Sequence, residues 1–274
     1  MKTKLLLLTT IIFLCLQNCV IQKPVNNISL IKSDQTQKLY LDLMKGVLIN
    51  LYQIQNTDGY NIQDRINGIG WNPNAYTMLS LKQLNAIDFM YADIIKNNIP
   101  GDLIECGVWR GGATIFMKAL LKSNNDTTRK VWVSDSFEGC PKPDVAKYPA
   151  DANSNWFAAP ELAISLEQVQ NNFKKFNLLD SNIIFLKGWF KNTLPIAQIK
   201  KLALLRVDGD LYESTMDAIS ALYDKLSVGG YFIDDDYGSI PQSKKAIDDY
   251  RNLHYITEEI IPIDATGVYW KKKK

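Results

Sequence analysis

The N-terminal part of the chain carries apolar residues at helical spacing. Between residues 39 and 54 they recur every three or four positions, as at Leu41, Met44 and Val47, and the stretch 77–95 repeats this pattern. Such spacing places the apolar side chains on one face of a helix. The sequence therefore predicts an N-terminal layer of helices, each with one buried face.

After residue 101 the pattern changes to short apolar runs separated by amphipathic stretches. Alternation of this kind is typical of βαβ units, so we predict an α/β fold with a mostly parallel central sheet flanked by helices. The predicted strands are 103–108, 131–133, 183–186, 202–207 and 231–233, and the predicted helices are 114–122, 161–176, 214–226 and 242–251. Gly229 and Gly230 are predicted to end the helix 214–226, and residues 139–160 to form a lid or substrate loop.

The two ends of the chain differ from its body. Residues 1–22 combine a basic start at Lys2 and Lys4 with an apolar stretch and then polar residues, which is typical of a signal peptide or a short membrane anchor. A fortuitous apolar start is the alternative. Residues 271–274 are lysines and are predicted to form a solvated basic tail, which leaves 38–270 as one domain. Membrane association through residues 1–22, and with it the localisation, stays open.

Composition excludes several classes of protein. The chain has 274 residues, of which 46% are hydrophobic and 22% charged, as in ordinary globular proteins. Its formal net charge is +2, but six lysines lie in the terminal segments, and without them the balance is 25 − 29 = −4. A nucleic-acid groove is therefore not expected. Cys106 and Cys140 belong to no CxxC pair, so we predict buried thiols and leave a disulfide between them open.

Acidic residues gather at the ends of the predicted strands. Glu105 lies in the first strand, Asp135 ends the second, Asp208 and Asp210 follow the fourth, and residues 234–236 follow the fifth. The carboxyl ends of parallel strands share one edge of a sheet, and the ligand crevice of an open α/β sheet lies there. The acids are therefore expected to converge on one site.

The loop after the first strand resembles a nucleotide-binding glycine loop only superficially. Trp109 and Arg110 occupy the place where a dinucleotide needs a second glycine, and Glu105 would repel phosphate. A cationic cofactor without phosphate fits better, and S-adenosylmethionine is such a molecule. We expect Glu105 near its amino group and Asp135 on its ribose hydroxyls, the alternative being that the glycines serve packing alone.

A second hypothesis concerns the carboxylates of Asp208, Asp235 and Asp236. Crowded carboxylates repel one another and raise one another's pKa unless a cation lies between them. A hard divalent ion resolves this, and Mg²⁺ is favoured because it keeps positions open for substrate and water. The alternative is that these acids cap helices or face solvent. Asp234 is expected to point away, because successive side chains of a strand alternate.

Five consecutive motifs resemble the macrocin O-methyltransferase family, whose members are metal-dependent enzymes that methylate sugar hydroxyls. The motifs are GDLIECGVWRGG at 101–112, VSDSFEG at 133–139, GWFKNTLP at 188–195, LRVDGDLYEST at 205–215, and the segment 229–237. The resemblance covers roughly residues 39–270. It implies a Rossmann-like methyltransferase fold, S-adenosylmethionine as donor, and Mg²⁺ on Asp208, Asp235 and Asp236.

The resemblance also suggests roles for single residues. It implies a donor site that contains Glu105, Gly107, Gly111, Asp135 and Ser136, and it indicates Tyr76 as part of a segment near the active site. The residues Tyr212 and Glu213 are expected to shape the acceptor pocket, with helix capping and packing as the alternative. Asp208 is the expected proton acceptor.

The expected reaction is O-methyl transfer to a hydroxyl of a sugar-containing or vicinal-diol acceptor, a small molecule or a glycan. Homo-oligomerisation stays open. Two other functions are also considered. One is a metal-dependent glycosyltransferase that uses Asp208, Gly209 and Asp210, and the other is an exported binding module that has the fold without the chemistry.

Overall fold

The computed structural model describes residues 26–53 and 61–274. The leader predicted for residues 1–22 lies outside them. The chain divides into two compact units, 1–39 and 40–274. The described residues of the first unit are helical and form the start of α1 (Asn26–Leu48), and the second unit contains all the other elements. In the described part of the chain, no helix is both long enough and apolar enough to span a membrane.

The second unit is built on a seven-stranded sheet. Its strands are β1 (Asp102–Cys106), β2 (Val131–Asp135), β3 (Ile183–Lys187), β4 (Leu202–Val207), β5 (Leu226–Asp234), β6 (Ile261–Pro262) and β7 (Val268–Lys271). They lie in the order β3-β2-β1-β4-β5-β7-β6. Strands β1 to β5 pair in parallel, whereas β7 is antiparallel to both β5 and β6. The α/β fold with a mostly parallel sheet is therefore confirmed.

Helices surround the sheet. They are α2 (Ile62–Asn67), α3 (Leu81–Lys96), α4 (Gly112–Ser123), α5 (Leu166–Lys175), α6 (Phe190–Thr193), α7 (Tyr212–Leu222) and α8 (Pro241–Leu253). Several begin at side-chain caps, such as Ser80 for α3 and Ser165 for α5. Because Ser165 bonds the backbone N–H of Gln168, helix α5 begins later than the sequence predicted, and the chain before it forms short 3₁₀ turns instead.

Two hydrophobic cores cover the two faces of the sheet. In β1, Leu103 contributes to one core and the next residue, Ile104, to the other. Helices α3, α4 and α5 pack into the first core, and α7 and α8 into the second. Strands covered on both faces are apolar at nearly every position, and this explains the uninterrupted apolar runs in the sequence.

The C-terminal part corrects three expectations. Gly229 and Gly230 lie inside β5, and the preceding helix ends at Leu222. Gly229 has a φ of +85°, and a Cβ there would lie 2.6 Å from Ile99 Cδ1, so this glycine permits a close contact within the strand. The strands β6 and β7 were not predicted. The predicted solvated tail is wrong for Lys271, which belongs to β7, and for Lys272, whose backbone bonds to Gly229 and Gly230. Lys273 is exposed and donates its backbone N–H to Glu258.

Candidate functional site

A cavity of about 370 Å³ lies at the carboxyl edge of the parallel strands. The ends of β1, β2, β4 and β5 form its floor, and the loop 139–162 and the segment 77–79 form its walls. Its aromatic wall is contributed by Trp71, Trp109, Trp156, Trp189 and Phe190. The predicted convergence of the strand-end acids is observed, because residues from four strands face this one space.

Glu105 and Gly107 form one end of the cavity. Gly107 has a φ of +87°, and a Cβ there would lie 1.9 Å from the carbonyl oxygen of Asp208, so the loop approaches β4 as only glycine allows. Glu105 is 2% exposed, and its Oε1 accepts a hydrogen bond from Arg206 Nη1 at 2.5 Å. Burial raises the pKa of Glu105 to about 7, although the Arg206 guanidinium acts in the opposite direction.

Asp135 and Ser136 also line this end, but both already make bonds within the protein. Asp135 Oδ2 accepts the backbone N–H of Val108 at 2.8 Å, and its Oδ1 accepts that of Phe137 at 2.7 Å. Burial raises the pKa of Asp135, and these backbone N–H groups oppose the rise. Ser136 donates to the carbonyl of Gly139 at 2.7 Å. Both residues face the cavity, and their bonds also stabilise the loops that follow β1 and β2.

Three predicted site residues lie outside the cavity lining. Gly111 precedes α4, and a Cβ there would lie 2.8 Å from Val169 Cγ1, so it serves helix packing. The ring of Tyr76 packs edge-on against Phe176 with 5.0 Å between the ring centres. Tyr212 donates its hydroxyl to Asp249 at 3.0 Å.

Glu213 does line the cavity. Its Oε1 pairs with Lys191 Nζ at 3.0 Å, and Asp217 lies one helical turn further along α7. Burial, and then the charge of Glu213, raises the pKa of Asp217 to about 6. The sequence analysis did not single out Asp217 or Lys191. Helical spacing from Glu213 would have identified Asp217, since residues four apart share a helix face.

Asp208, Asp210 and Asp236 line the second end of the cavity, formed after β4 and β5, which adjoins the end formed by Glu105 and Gly107. Each offers a carboxylate oxygen, and these oxygens all lie within 4.8 Å of one another. Asp210 has a φ of +56°, and its backbone N–H donates to Asp236 Oδ2 at 2.9 Å. Burial and neighbouring carboxylates raise the pKa of Asp208 and of Asp236 well above the usual range, and burial raises that of Asp210 to about 6.

Asp235 is not part of this cluster in the structure. Its Oδ1 lies 2.6 Å from Arg206 Nη2, in an ion pair. Arg206 also bonds Asp208 Oδ2, with 3.2 Å to each terminal nitrogen. The sequence analysis gave Arg206 no role, although an arginine inside the apolar run LALLRV is a signal of a buried charge with a function.

The loop 139–162 closes the cavity through specific bonds. Trp109 donates its indole N–H to the carbonyl of Glu161 at 2.8 Å. Asp151 accepts the backbone N–H groups of Tyr212 at 2.7 Å and Glu213 at 3.1 Å. The thiol of Cys140 lies 3.4 Å from Asp210 Oδ2, and burial raises its pKa. Both described cysteines are free thiols, and Cys106 is buried as predicted.

Comparison with known proteins identifies the family of this chain. The family model of macrocin O-methyltransferase matches residues 15–272. Demethyldecarbamoylnovobiocin O-methyltransferase from Streptomyces niveus is 44% identical over 253 residues, which are 89% of this chain and 97% of that protein. Mycinamicin III 3''-O-methyltransferase from Micromonospora griseorubida is 42% identical and covers 86% of this chain and 96% of its own length.

A solved structure agrees with these relatives. The O-methyltransferase NovP is 46% identical, with a TM-score of 0.84, and the match covers 87% of this chain and 100% of NovP. The Rossmann-like methyltransferase fold is therefore confirmed. None of these matches supports the glycosyltransferase or the non-catalytic binding module. The chain belongs to the macrocin O-methyltransferase family and is an O-methyltransferase.

Proposed function

We propose that this chain transfers a methyl group from S-adenosylmethionine to a hydroxyl of a sugar-containing or vicinal-diol acceptor, with the help of Mg²⁺. One observation carries the proposal. A single cavity contains both the glycine loop with Glu105 and the cluster of Asp208, Asp210 and Asp236. A donor end and a metal end that face one space are what a metal-assisted transfer requires.

The donor end suits a cation without phosphate. Glu105 Oε2 is buried and has no hydrogen-bond partner among the described residues, while Oε1 is held by Arg206. An ammonium group donating to Oε2 would satisfy this oxygen. S-adenosylmethionine supplies a methyl carbon that its sulfonium has already activated. Glu105, Gly107, Asp135 and Ser136 are proposed as its binding residues, and Gly111 contributes through the geometry of the loop.

The acidic end fits a hard divalent ion. Three carboxylates with oxygens within 4.8 Å of one another match the donor set of Mg²⁺. Burial, and then repulsion between neighbouring carboxylates, raises the pKa of Asp208 and of Asp236, and a cation would relieve the repulsion. Asp208, Asp210 and Asp236 would hold the ion, and Asp235 stays a predicted ligand that pairs with Arg206 here. A bound Mg²⁺ supplies positive charge that lowers the pKa of an acceptor hydroxyl.

Asp208 is the proposed proton acceptor, and Asp210 is the second candidate. Both line the cavity, but Arg206 holds Asp208 Oδ2. Glu213 and Asp217 line the cavity and can accept hydrogen bonds from sugar hydroxyls, so we place the acceptor along this side of α7.

The proposal is tested by binding and by turnover. S-adenosylhomocysteine is titrated calorimetrically, Mn²⁺ binding is followed by electron paramagnetic resonance, and methyl transfer from S-adenosylmethionine to demethyldecarbamoylnovobiocin is measured with Mg²⁺ or EDTA. Asp236→Asn is expected to weaken Mn²⁺ binding by about tenfold or more while S-adenosylhomocysteine affinity stays within about twofold. Turnover by the unchanged protein is expected with Mg²⁺ and not with EDTA.

Asp248→Asn is the matched control, because Asp248 is a surface acid paired with Lys244 on α8. It is expected to leave Mn²⁺ affinity and turnover unchanged. Equal Mn²⁺ affinity of the Asp236→Asn and Asp248→Asn variants would refute the metal site. Failure of the unchanged protein to bind S-adenosylhomocysteine would refute the donor site. Asp208→Asn and Asp210→Asn, compared at saturating Mg²⁺, identify which of the two carboxylates takes the proton.

A further inference from the structure

Arg206 connects three strands of the sheet through one buried guanidinium. The side chain is 1% exposed and points from β4 to Glu105 on β1, to Asp208 at the end of its own strand and to Asp235 after β5. The three contacts measure 2.5, 3.2 and 2.6 Å. Glu105 belongs to the donor end of the cavity and Asp208 to the acidic cluster, so this one group lies between the two ends.

The geometry requires an arginine. A guanidinium is a planar fork with five N–H donors, whereas a lysine ammonium is a point charge on a flexible stem. Nη1 bonds Glu105 and Asp208, and Nη2 bonds Asp208 and lies against Asp235. A lysine at this position would keep the charge but would not hold carboxylates on three strands at once.

The charge matters as much as the shape. Burial alone would lower the pKa of Arg206, but the three carboxylates raise it, and the guanidinium stays protonated. Its positive charge therefore offsets part of the repulsion between Glu105, Asp208 and Asp235. Arg206 bonds Oε1 of Glu105, and the buried Oε2 has no hydrogen-bond partner among the described residues.

We propose that Arg206 is a positioning residue that couples the donor end of the cavity to the acidic cluster, because one guanidinium fixes both Glu105 and Asp208. The inference rests on the proposed function for the identity of the two ligands. It adds that binding at one end depends on a residue shared with the other end. A substitution of Glu105 or Asp208, which Arg206 contacts, is therefore expected to affect binding at both ends.

The first test is Arg206→Lys. The affinities for S-adenosylhomocysteine and for Mn²⁺ are both expected to fall by about tenfold, as is usual when a group that orients a ligand is removed. The matched control is Arg129→Lys. Arg129 pairs with Asp126 at 3.0 Å and bonds the carbonyl of Ile99 at 2.7 Å, before β1 and away from the cavity. Thermal unfolding of both variants measures the loss of stability, and Arg129→Lys is expected to keep both affinities within about twofold.

The second test substitutes carboxylates at the donor end and measures the effect on Mn²⁺ binding at the acidic cluster. Glu105→Gln removes a carboxylate that contacts Arg206. Asp135→Asn removes a carboxylate at the same end that accepts the backbone N–H groups of Val108 and Phe137 instead. Glu105→Gln is expected to weaken Mn²⁺ binding several-fold more than Asp135→Asn does. This pair of variants decides the question if Arg206→Lys does not fold.

The outcomes separate this inference from the proposed function. If the unchanged protein binds neither S-adenosylhomocysteine nor Mn²⁺, the proposed function fails and the coupling fails with it. If the unchanged protein binds both and Arg206→Lys binds them as Arg129→Lys does, the coupling alone is refuted. An equal effect of Glu105→Gln and Asp135→Asn on Mn²⁺ also refutes it.

Discussion

The buried acids of this protein differ in how their charge is compensated. Asp208 and Asp235 share the guanidinium of Arg206, whereas Asp234 has no cation among its bonding partners in the described residues. Asp234 is fully buried and accepts hydrogen bonds from the Ser243 hydroxyl at 3.2 Å and the backbone N–H of Asp236 at 3.3 Å. A buried carboxylate without a cation destabilises the fold when it is ionised.

The pKa of Asp234 makes this cost depend on pH. Burial, and then the charge of Asp235, raises it to about 7 from an ordinary value of 3.8. Between these two values the unfolded chain has lost the proton that the folded chain keeps, so this residue makes stability fall as pH rises from about 4 to about 7. Above about 7 both states are ionised and the cost is constant.

We therefore expect Asp234→Asn to stabilise the protein at pH 8 by up to about 4 kcal/mol and to have little effect near pH 4. The amide has the same shape and remains able to bond Ser243. Urea unfolding in EDTA at both pH values measures the difference. The exposed Asp248→Asn serves as the control and should leave the pH dependence unchanged. A gain at pH 4 as large as that at pH 8 would contradict the assignment to Asp234.

At the scale of single residues, the sequence predicted where acidic side chains gather better than it predicted which contacts they make. Acidic side chains at strand ends converge because parallel strands share an edge. Side-chain alternation along β5 predicts that Asp234 points away from its neighbours, and in the structure Asp234 bonds Ser243 on α8. Neither rule gives side-chain rotamers. The roles of Arg206 and Asp210 depend on which oxygen meets which nitrogen, and the outward packing of Tyr76 depends on Phe176, which is 100 residues away in the sequence.

At the scale of elements, the loop 139–162 and helix α7 depend on each other. The residue before α7, Leu211, has no side-chain cap, so the first N–H groups of the helix lack a local partner. Asp151, a fully buried residue of the loop 139–162, provides the missing partner. Its carboxylate accepts the backbone N–H groups of Tyr212 and Glu213. A carboxylate at a helix N-terminus is also favoured by the helix dipole. The bond fixes the loop over the residues that follow the Asp208 turn.

Asp151→Ala is expected to raise the KM for the acceptor by roughly tenfold and to cost about 1 to 2 kcal/mol of stability, while S-adenosylhomocysteine affinity is kept. The loop should also become more sensitive to proteolysis. Asp151→Asn keeps one acceptor oxygen, so its acceptor KM and its stability should lie between those of the unchanged protein and those of Asp151→Ala. The comparison uses acceptor saturation curves together with calorimetric titration.

Ser165→Ala provides the control for this prediction. Ser165 caps α5 through the N–H of Gln168, so its loss costs a similar stability without touching α7. An equal rise in acceptor KM for Ser165→Ala and Asp151→Ala would mean that general destabilisation, and not the anchoring of the loop, is responsible.

Element types were predicted more reliably than element ends. The five parallel strands and the helices between them were recognised from their apolar periodicity, because each buries a face in one of two cores. The sequence predicts that Gly229 ends a helix, since glycine pairs usually break helices. Its role in β5 depends on the contact with Ile99 across the fold, which no local pattern reports.

At the scale of the whole molecule, the sequence predicted a mostly parallel sheet, but neither the order of its strands nor its antiparallel edge. A parallel βαβ succession predicts the crossover topology, but β6 has two residues and β7 has four, and their pairing with β5 is antiparallel. Strands this short give no readable alternation. Their place is fixed by tertiary contacts, above all by Trp270, which stacks on Phe232 with 4.2 Å between ring centres.

The charge of the molecule is distributed unevenly. The chain as a whole carries +2, yet the cavity is lined by nine acidic residues and, within the described part of the chain, by Lys191 as the single basic residue. The acidic residues are Glu105, Asp135, Glu161, Asp208, Asp210, Glu213, Asp217, Asp235 and Asp236. A divalent ion, a cationic donor and the guanidinium of Arg206 would together offset only part of this charge. We therefore expect the cavity to favour neutral or cationic acceptors.

This imbalance predicts which form of a sugar the protein methylates. A glycoside without phosphate should be accepted, whereas the same sugar as its nucleoside diphosphate should react at a kcat/KM lower by roughly tenfold or more, because like charges brought together in a cavity cost several kcal/mol. The measurement compares methyl rhamnoside with a nucleoside diphosphate rhamnose at saturating Mg²⁺ and donor. Asp217→Asn removes one carboxylate from the acceptor side of α7 and should reduce the difference in kcat/KM between the two sugars. Asp248→Asn, on the outer surface, should leave that difference unchanged. Equal kcat/KM values for the two sugars would show that the charge of the cavity does not select the acceptor.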